Sequence, residues 1–156
     1  MGAMSPSEWM DAVVHSANEF AVSMLGVEGV RVVEPLPKIP SSGGTALISL
    51  VSESLAVKIG VSLEDRACQD LARGLLGMSP EEGDLPDDEV ADALSEVANI
   101  VAGQVKSFVA GRVSGVNIGL PIFIRGELCP AADTQSVVMA VRIGEIPATL
   151  LVLAHG

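Results

Sequence analysis

The sequence predicts an α+β fold in which long helices pack on a largely antiparallel sheet. Three observations predict it. Two long segments carry apolar residues at three- and four-residue spacing and stop at glycines, as helices do. Short runs of Val, Ile and Leu lie between turn residues, as strands do. The order of the two kinds, α-βββ-α-α-βββ(β), groups helices and strands in blocks, which favours helices segregated against an antiparallel sheet.

Taken in order, residues 6–25 read as a helix, with Pro6 suited to the first turn after Ser5 and Gly26 to the stop. Its apolar side carries Trp9, Val13, Phe20 and Met24, expected in the core. Three β-type runs follow, at about 29–36, 44–52 and 54–61, with a long loop over Pro35–Gly44. A second helix is expected over about 62–76, with Leu63, Ala67, Leu71 and Leu75 on one side and Gly77 after it. Residues 79–85 form an acidic turn. A third helix starts near Pro86, places Asp87, Asp88 and Glu89 where they complement the helix dipole, and continues to about Ala110. Further β-type runs fall at about 113–120, 122–128, 135–143 and 148–154.

The chain has 156 residues, the size of one domain able to bury a core without disulfide or metal. Residues 5–156 are read as that domain, and Met1-Gly2-Ala3-Met4 as a leftover of expression. No run of about 18 apolar residues is present, so no membrane helix is expected, and no signal peptide is visible. Cys68 and Cys129 suit a reducing cytosol as small buried hydrophobes, and with two histidines at scattered positions they make no metal-ligand spacing. A net charge of −11 argues against nucleic acid or an anionic membrane as partner. The expected location is the cytoplasm. Ser41-Ser-Gly-Gly44 lacks the following Lys-Ser/Thr of a phosphate loop, and no nucleophile elbow occurs, which leaves little room for a small-molecule enzyme.

The element order suggests an internal repeat. A shift of 81 residues aligns 9–40 with 90–121 and matches Asp11/Asp92, Ala12/Ala93, Ala17/Ala98, Asn18/Asn99, Ala21/Ala102, Arg31/Arg112, Val32/Val113 and Pro40/Pro121. Roughly two or three matches are expected for such Ala/Val-rich segments. The repeats would cover about 6–61 and 86–154, joined by helix 62–76.

Helical projection of 86–110 puts Val90, Leu94, Val97, Val101, Val105 and Phe108 on a common stripe, the expected core face. Asp92, Glu96, Asn99 and Gly103 form a narrow strip on the opposite side. A polar strip is normal on any helix. This one uses Asn and Gly, poor helix formers, where Lys or Gln would serve better. Gly103 also removes bulk, as close contact with another protein would require.

The spacing Asp92, Glu96, Asn99 and Pro121 resembles the signature of the CheC, CheX and FliY chemotaxis phosphatases: Asp or Ser, three residues, Glu, two residues, Asn, twenty-two residues, Pro. The run Asp92-Ala-Leu-Ser-Glu-Val-Ala-Asn-Ile-Val-Ala-Gly103 resembles the active helix of the CheX members. The resemblance implies a CheC-like pseudo-two-fold fold and a phosphatase of the aspartyl phosphate on a CheY-type response regulator. It implies that Glu96 pairs with a lysine of the regulator and Asn99 orients the attacking water, with Asp92, Gly103 and Pro121 in support. It implies Mg²⁺ on the regulator, no cofactor of the chain's own, and a homodimer formed through sheet edges, for which the apolar run 148–154 would serve as well as for a central strand. Asp11, His15, Asn18 and Pro40 stand at the same intervals in the first repeat. There His15 replaces the Glu and Val22 the Gly, so this copy is read as a degenerate second site; a pH-sensitive contact is the lesser reading of His15. The alternative function is a regulator-binding or motor-switch adaptor module without catalysis.

Overall fold

The computed structural model describes residues 3–41, 43–79 and 81–155. Met1 and Gly2 of the leading tetrapeptide, and Ser42 of the Ser41–Gly44 stretch, lie outside the described residues. Helix α1 spans Pro6–Phe20 and continues as a π-helical turn, Ala21–Leu25, closed by Gly26 in the left-handed conformation at φ 67°. Strands β1 (Val30–Leu36), β2 (Gly44–Ser52) and β3 (Leu55–Leu63) follow, then α2 (Asp65–Leu75) and α3 (Asp87–Phe108). Strands β4 (Asn117–Ile118), β5 (Ile122–Arg125), β6 (Thr134–Ile143) and β7 (Ile146–His155) complete the chain. Among the described residues the architecture is α+β, three helices on one seven-stranded antiparallel sheet.

The sheet order is β1-β6-β7-β3-β2, with β4 and β5 both on the outer side of β2. Exchanging β1 with β4/β5, β2 with β6 and β3 with β7 returns the same order reversed. Each half therefore lays its first strand on the other half's hairpin. The hairpin tips fix the correspondence: Ser52 faces Leu55 in one and Ile143 faces Ile146 in the other, a spacing of 91 residues. In the edge strands Val32 faces Val141 and Ile118 faces Leu50, which reduces the spacing to 86. The helices start 81 residues apart, at Pro6 and Asp87. The second half is thus longer by five residues before its edge strand and by five more after it.

Successive residues of each central strand face opposite sides of the sheet. Ala46, Ile48, Leu50, Val57, Ile59, Leu150 and Val152 join Trp9, Phe20, Leu71, Leu94 and Val105 in the main core under the helices. Leu47, Val138, Leu151 and Leu153 face the other side, where Ile39 and Leu128 from two loops pack on them. β7 lies between β6 and β3, so the apolar run 148–154 is a central strand and not an edge.

Several expectations are corrected. β3 runs through Leu63, which is a buried strand residue, and α2 begins only at Asp65; the β-branched and apolar run 57–63 continues its ladder with β2 to the end. Met24 is 51% exposed, because the π-helical turn accommodates an extra residue and brings Leu25 against the core in its place. The run 113–120 forms only the two-residue β4, since Gly115 at φ 69° turns the chain ahead of it. The run 122–128 stops at Arg125, before Gly126 at φ 95°. Cys68 is buried, which pushes its thiol up to about 11, but Cys129 is exposed.

Ionic contacts tie the helix starts to the sheet. Ser5 caps α1 in a capping box with Glu8, whose carboxylate also pairs with Arg112 beyond α3. Arg125 of β5 donates to Gly43 O at 3.1 Å and Asp65 Oδ1 at 2.9 Å and reaches Asp87, joining β5 to the first turns of α2 and α3. The Arg112 hydrogen bond, then the Ser5 amide, hold the Glu8 carboxyl down at about 2. Its contribution is present above its ordinary value of 4.5 and is lost as pH falls toward 2. Urea midpoints measured at pH 7 and pH 3 test this: Glu8→Gln should flatten the acid-side loss of stability relative to the unaltered chain.

Candidate functional site

Helix α3 carries the candidate site. Val90, Leu94, Val97, Val101 and Val105 are buried, which turns the opposite side of the helix outward. Asp92, Glu96 and Asn99 are exposed on that side, three and four residues apart, and Gly103 follows one turn later. Neither the Glu96 carboxylate nor the Asn99 amide has a hydrogen bond or ion pair among the described residues. A Cβ built on Gly103 would meet nothing within 4 Å, so the strip opens onto free space there. Phe108 departs from the expected core stripe. It is 53% exposed, and its ring stacks on His15 with centroids 4.1 Å apart. Val109 takes the buried place four residues after Val105.

The first-half residues behave differently. Asn18 is partly buried, and its Oδ1 accepts a hydrogen bond from Val30 N at 2.8 Å, anchoring the start of β1. A Cβ on Gly29 would collide with that oxygen, and Gly29 has φ 127°, so this close approach requires glycine. Asp11 and His15 are exposed on the same face of α1, His15 under the Phe108 ring. Val22, in the π-helical turn, is half exposed. His15 beside Phe108, and Glu19 in one groove with Gly103, show that α1 and α3 run side by side in opposite directions.

The sheet register corrects one correspondence. Pro121 precedes Ile122, which faces Leu47; Pro35 precedes Leu36, which faces Val138. Leu47 and Val138 match at the hairpin spacing of 91, so the counterpart of Pro121 is Pro35 and not Pro40. The alignment at 81 holds for the helices and misses the insertion that precedes β4. Both prolines stand at a register shift, Pro35 just after the one between Val32 and Glu34 in β1 and Pro121 within the one between Ile118 and Ile122 in the second half. Pro lacks the N–H that a central strand would need, and these are outer strands.

Two of the concavities with charged or polar walls border α3. The larger, about 620 Å³, lies at the starts of α2 and α3 among Asp65, Arg66, Asp84, Asp87 and Arg125. Its charges pair with one another: Arg66 and Arg73 both reach Asp84, at 2.8 and 3.0 Å, and hold its carboxyl below the usual range. The second, about 370 Å³, is a groove between α1 and α3 beside Gly103. Among the described residues, no group of three or more His, Cys, Asp or Glu side chains could hold a metal ion, and no helix is long and apolar enough to cross a membrane. The groove was not foreseen; the one signal for it in the sequence is Ser16, which stands 81 residues before Val97 on an otherwise apolar face.

Comparison with known proteins bears on this arrangement. The family profile described as chemotaxis phosphatase CheX matches residues 45–142. A CheC-like superfamily protein from Shewanella sp. PV-4 has the same fold, with a TM-score of 0.78 and 18% identity over 95% of this chain and 97% of that one. A chemotaxis protein CheX from Vibrio vulnificus gives 0.77 and 15% over 96% and 99%. A chain from the CheX-CheY-BeF3-Mg²⁺ complex of Borrelia burgdorferi gives 0.77 and 21% over 94% and 96%. No curated protein matches the chain by sequence.

The two asparagines should separate in a stability experiment. Asn18→Ala leaves Val30 N without its partner and should cost about 1–2 kcal/mol. Asn99→Ala, on the open strip, should change stability by less than about 0.5 kcal/mol. Urea denaturation of both variants checks the contrast.

Proposed function

Because the chain belongs to the family of the chemotaxis phosphatase CheX, we propose that it accelerates hydrolysis of the aspartyl phosphate on a CheY-type response regulator. In this reading Glu96 docks the regulator by pairing with a lysine of its active site. Asn99 reaches beside the phosphoryl group and orients the attacking water. The observation that carries the reading is the pair itself: Glu96 and Asn99 are exposed, unengaged and one turn apart, ahead of an open Gly103.

The chemistry asks little more of the chain. Water adds to phosphorus in line with the leaving aspartyl oxygen, that P–O bond breaks, and carboxylate and inorganic phosphate leave. The acyl phosphate is already activated, so holding water in line supplies much of the acceleration. An amide offers a donor and an acceptor for that water and is no base, so the role of Asn99 is geometric. Mg²⁺ belongs to the regulator, and the Borrelia burgdorferi complex of a CheX with CheY contains BeF3 and Mg²⁺. Asp92 and Pro121 act as supports, Asp92 one turn before Glu96 on the strip and Pro121 at the irregularity of the outer strand. Asp11, His15 and Asn18 form no second site in this reading, because Asn18 Oδ1 is already committed to Val30 N and His15 brings no negative charge. A homodimer through the sheet edge is part of the proposal; β1 is an outer strand with Val32 and Val33 exposed.

Phosphate release from a regulator charged with acetyl phosphate, at substoichiometric protein, tests the proposal. Multiple turnovers are expected. Glu96→Ala and Asn99→Ala should each lower the accelerated rate by roughly 10²-fold or more with the fold intact, and His15→Ala should leave it near the starting value. Near-normal turnover in both strip variants would sink the assignment. Binding without turnover would make the chain an adaptor.

A further inference from the structure

We propose that the groove between α1 and α3 receives a basic side chain, lysine or arginine, of the docked regulator and thereby selects which regulator is accepted. The inference rests on the docking reading above and names the chemistry of the partner at that surface. The groove adjoins Gly103, the last position of the strip, so a protein seated on the strip also covers it.

Two buried polar atoms point to an absent partner. Ser16 is 0% exposed and its Oγ has no hydrogen-bond partner among the described residues. Gln104 Oε1 is likewise buried and unpaired. Both residues line this groove. Buried polar groups are nearly always paired, because leaving one unpaired costs stability. The matching position of α3 is Val97, a buried valine in the main core, so the repeat does not itself call for a polar side chain there.

The character of the missing group follows from the walls. Gln104 Oε1 can only accept, Ser16 Oγ can accept, and the Glu19 carboxylate lines the groove as well. Among the described residues, no lysine or arginine lines the groove. The Phe108 ring, stacked on His15, forms one side and offers a π-face to a cation. A long basic side chain meets these demands together: its apolar stem lies along the aromatic wall, its charged head pairs with the exposed Glu19 carboxylate, and a turn of the Ser16 and Gln104 side chains toward the groove lets their oxygens accept from it.

The test uses the full chain and a CheY-type regulator activated with beryllofluoride and Mg²⁺. Ser16→Ala and Gln104→Met each delete one of the unpaired atoms. The double variant should bind about tenfold more weakly and show a KM raised to match. Its kcat should stay within about twofold, and its urea midpoint should equal or exceed that of the unaltered chain. Glu19→Gln should weaken binding in the same direction. Unchanged affinity in the double variant would overturn the groove. So would a loss of affinity that comes with a loss of stability, since that marks a structural role. If Glu96→Ala and Asn99→Ala keep full turnover, the phosphatase reading fails, and the groove is still judged on affinity alone. Absence of any binding by the unaltered chain overturns both.

Discussion

The pairing of β3 with β7, from Val57 opposite Ala154 to Ser62 opposite Thr149, joins the two halves of the chain through the middle of the sheet. Everything outward of it is shared. β1 finds its partner in β6, and β4 and β5 find theirs in β2. Neither half can satisfy its own outer hairpin strand, so the halves are bound by backbone hydrogen bonds as well as by apolar packing. The arrangement also brings α1 and α3 side by side on one face. That contact sets the exposed strip of α3 next to the residues of α1 and creates the groove between them.

Matched positions in the two helices do opposite work. Asn18 is held by the chain itself, and its oxygen organises the entry to β1 through a glycine that no other residue could replace without strain. Asn99 has the same side chain on the same helical face, and nothing in the described structure holds it. The difference lies in the surroundings: β1 begins directly after the π-helical turn and passes by Asn18, whereas the longer second half carries its edge strand away on a detour through residues 109–116. Five inserted residues thus separate a structural amide from a free one.

The long periodic elements were legible in the sequence. The valine and leucine stripe of α3 is buried as its spacing requires, and the strand runs of β1, β2, β6 and β7 lie within a few residues of their expected bounds. Misreadings arose where local signals compete. Helical periodicity cannot register the π-helical turn that turns Met24 outward, nor the end of α3, where Val109 displaces Phe108 from the core. The apolar run into Leu63 suits strand and helix equally, and only pairing with β2 decides it. A fixed repeat spacing could not follow a correspondence that changes from 81 to 86 to 91, which is why Pro40 stood in for Pro35. Of the strip, Asp92, Glu96, Asn99 and Gly103 were visible as a spacing, but their freedom from internal contacts is a tertiary property. The groove was hidden because its polar atoms come from two helices far apart in the chain.

The exchange of edge strands also imposes an order in time. Residues of β1 pair with residues 102 to 113 positions later, as Leu36 does with Val138 and Val30 with Ile143. A ribosome adding about 5–20 residues per second makes that strand roughly 5–20 s before its partner exists. Within that interval the β2–β3 hairpin is completed before either of its neighbours exists, β4 and β5 on one side and β7 on the other. Its apolar residues wait in the nascent chain, and the sheet closes only when the last strand, β7, has left the exit tunnel.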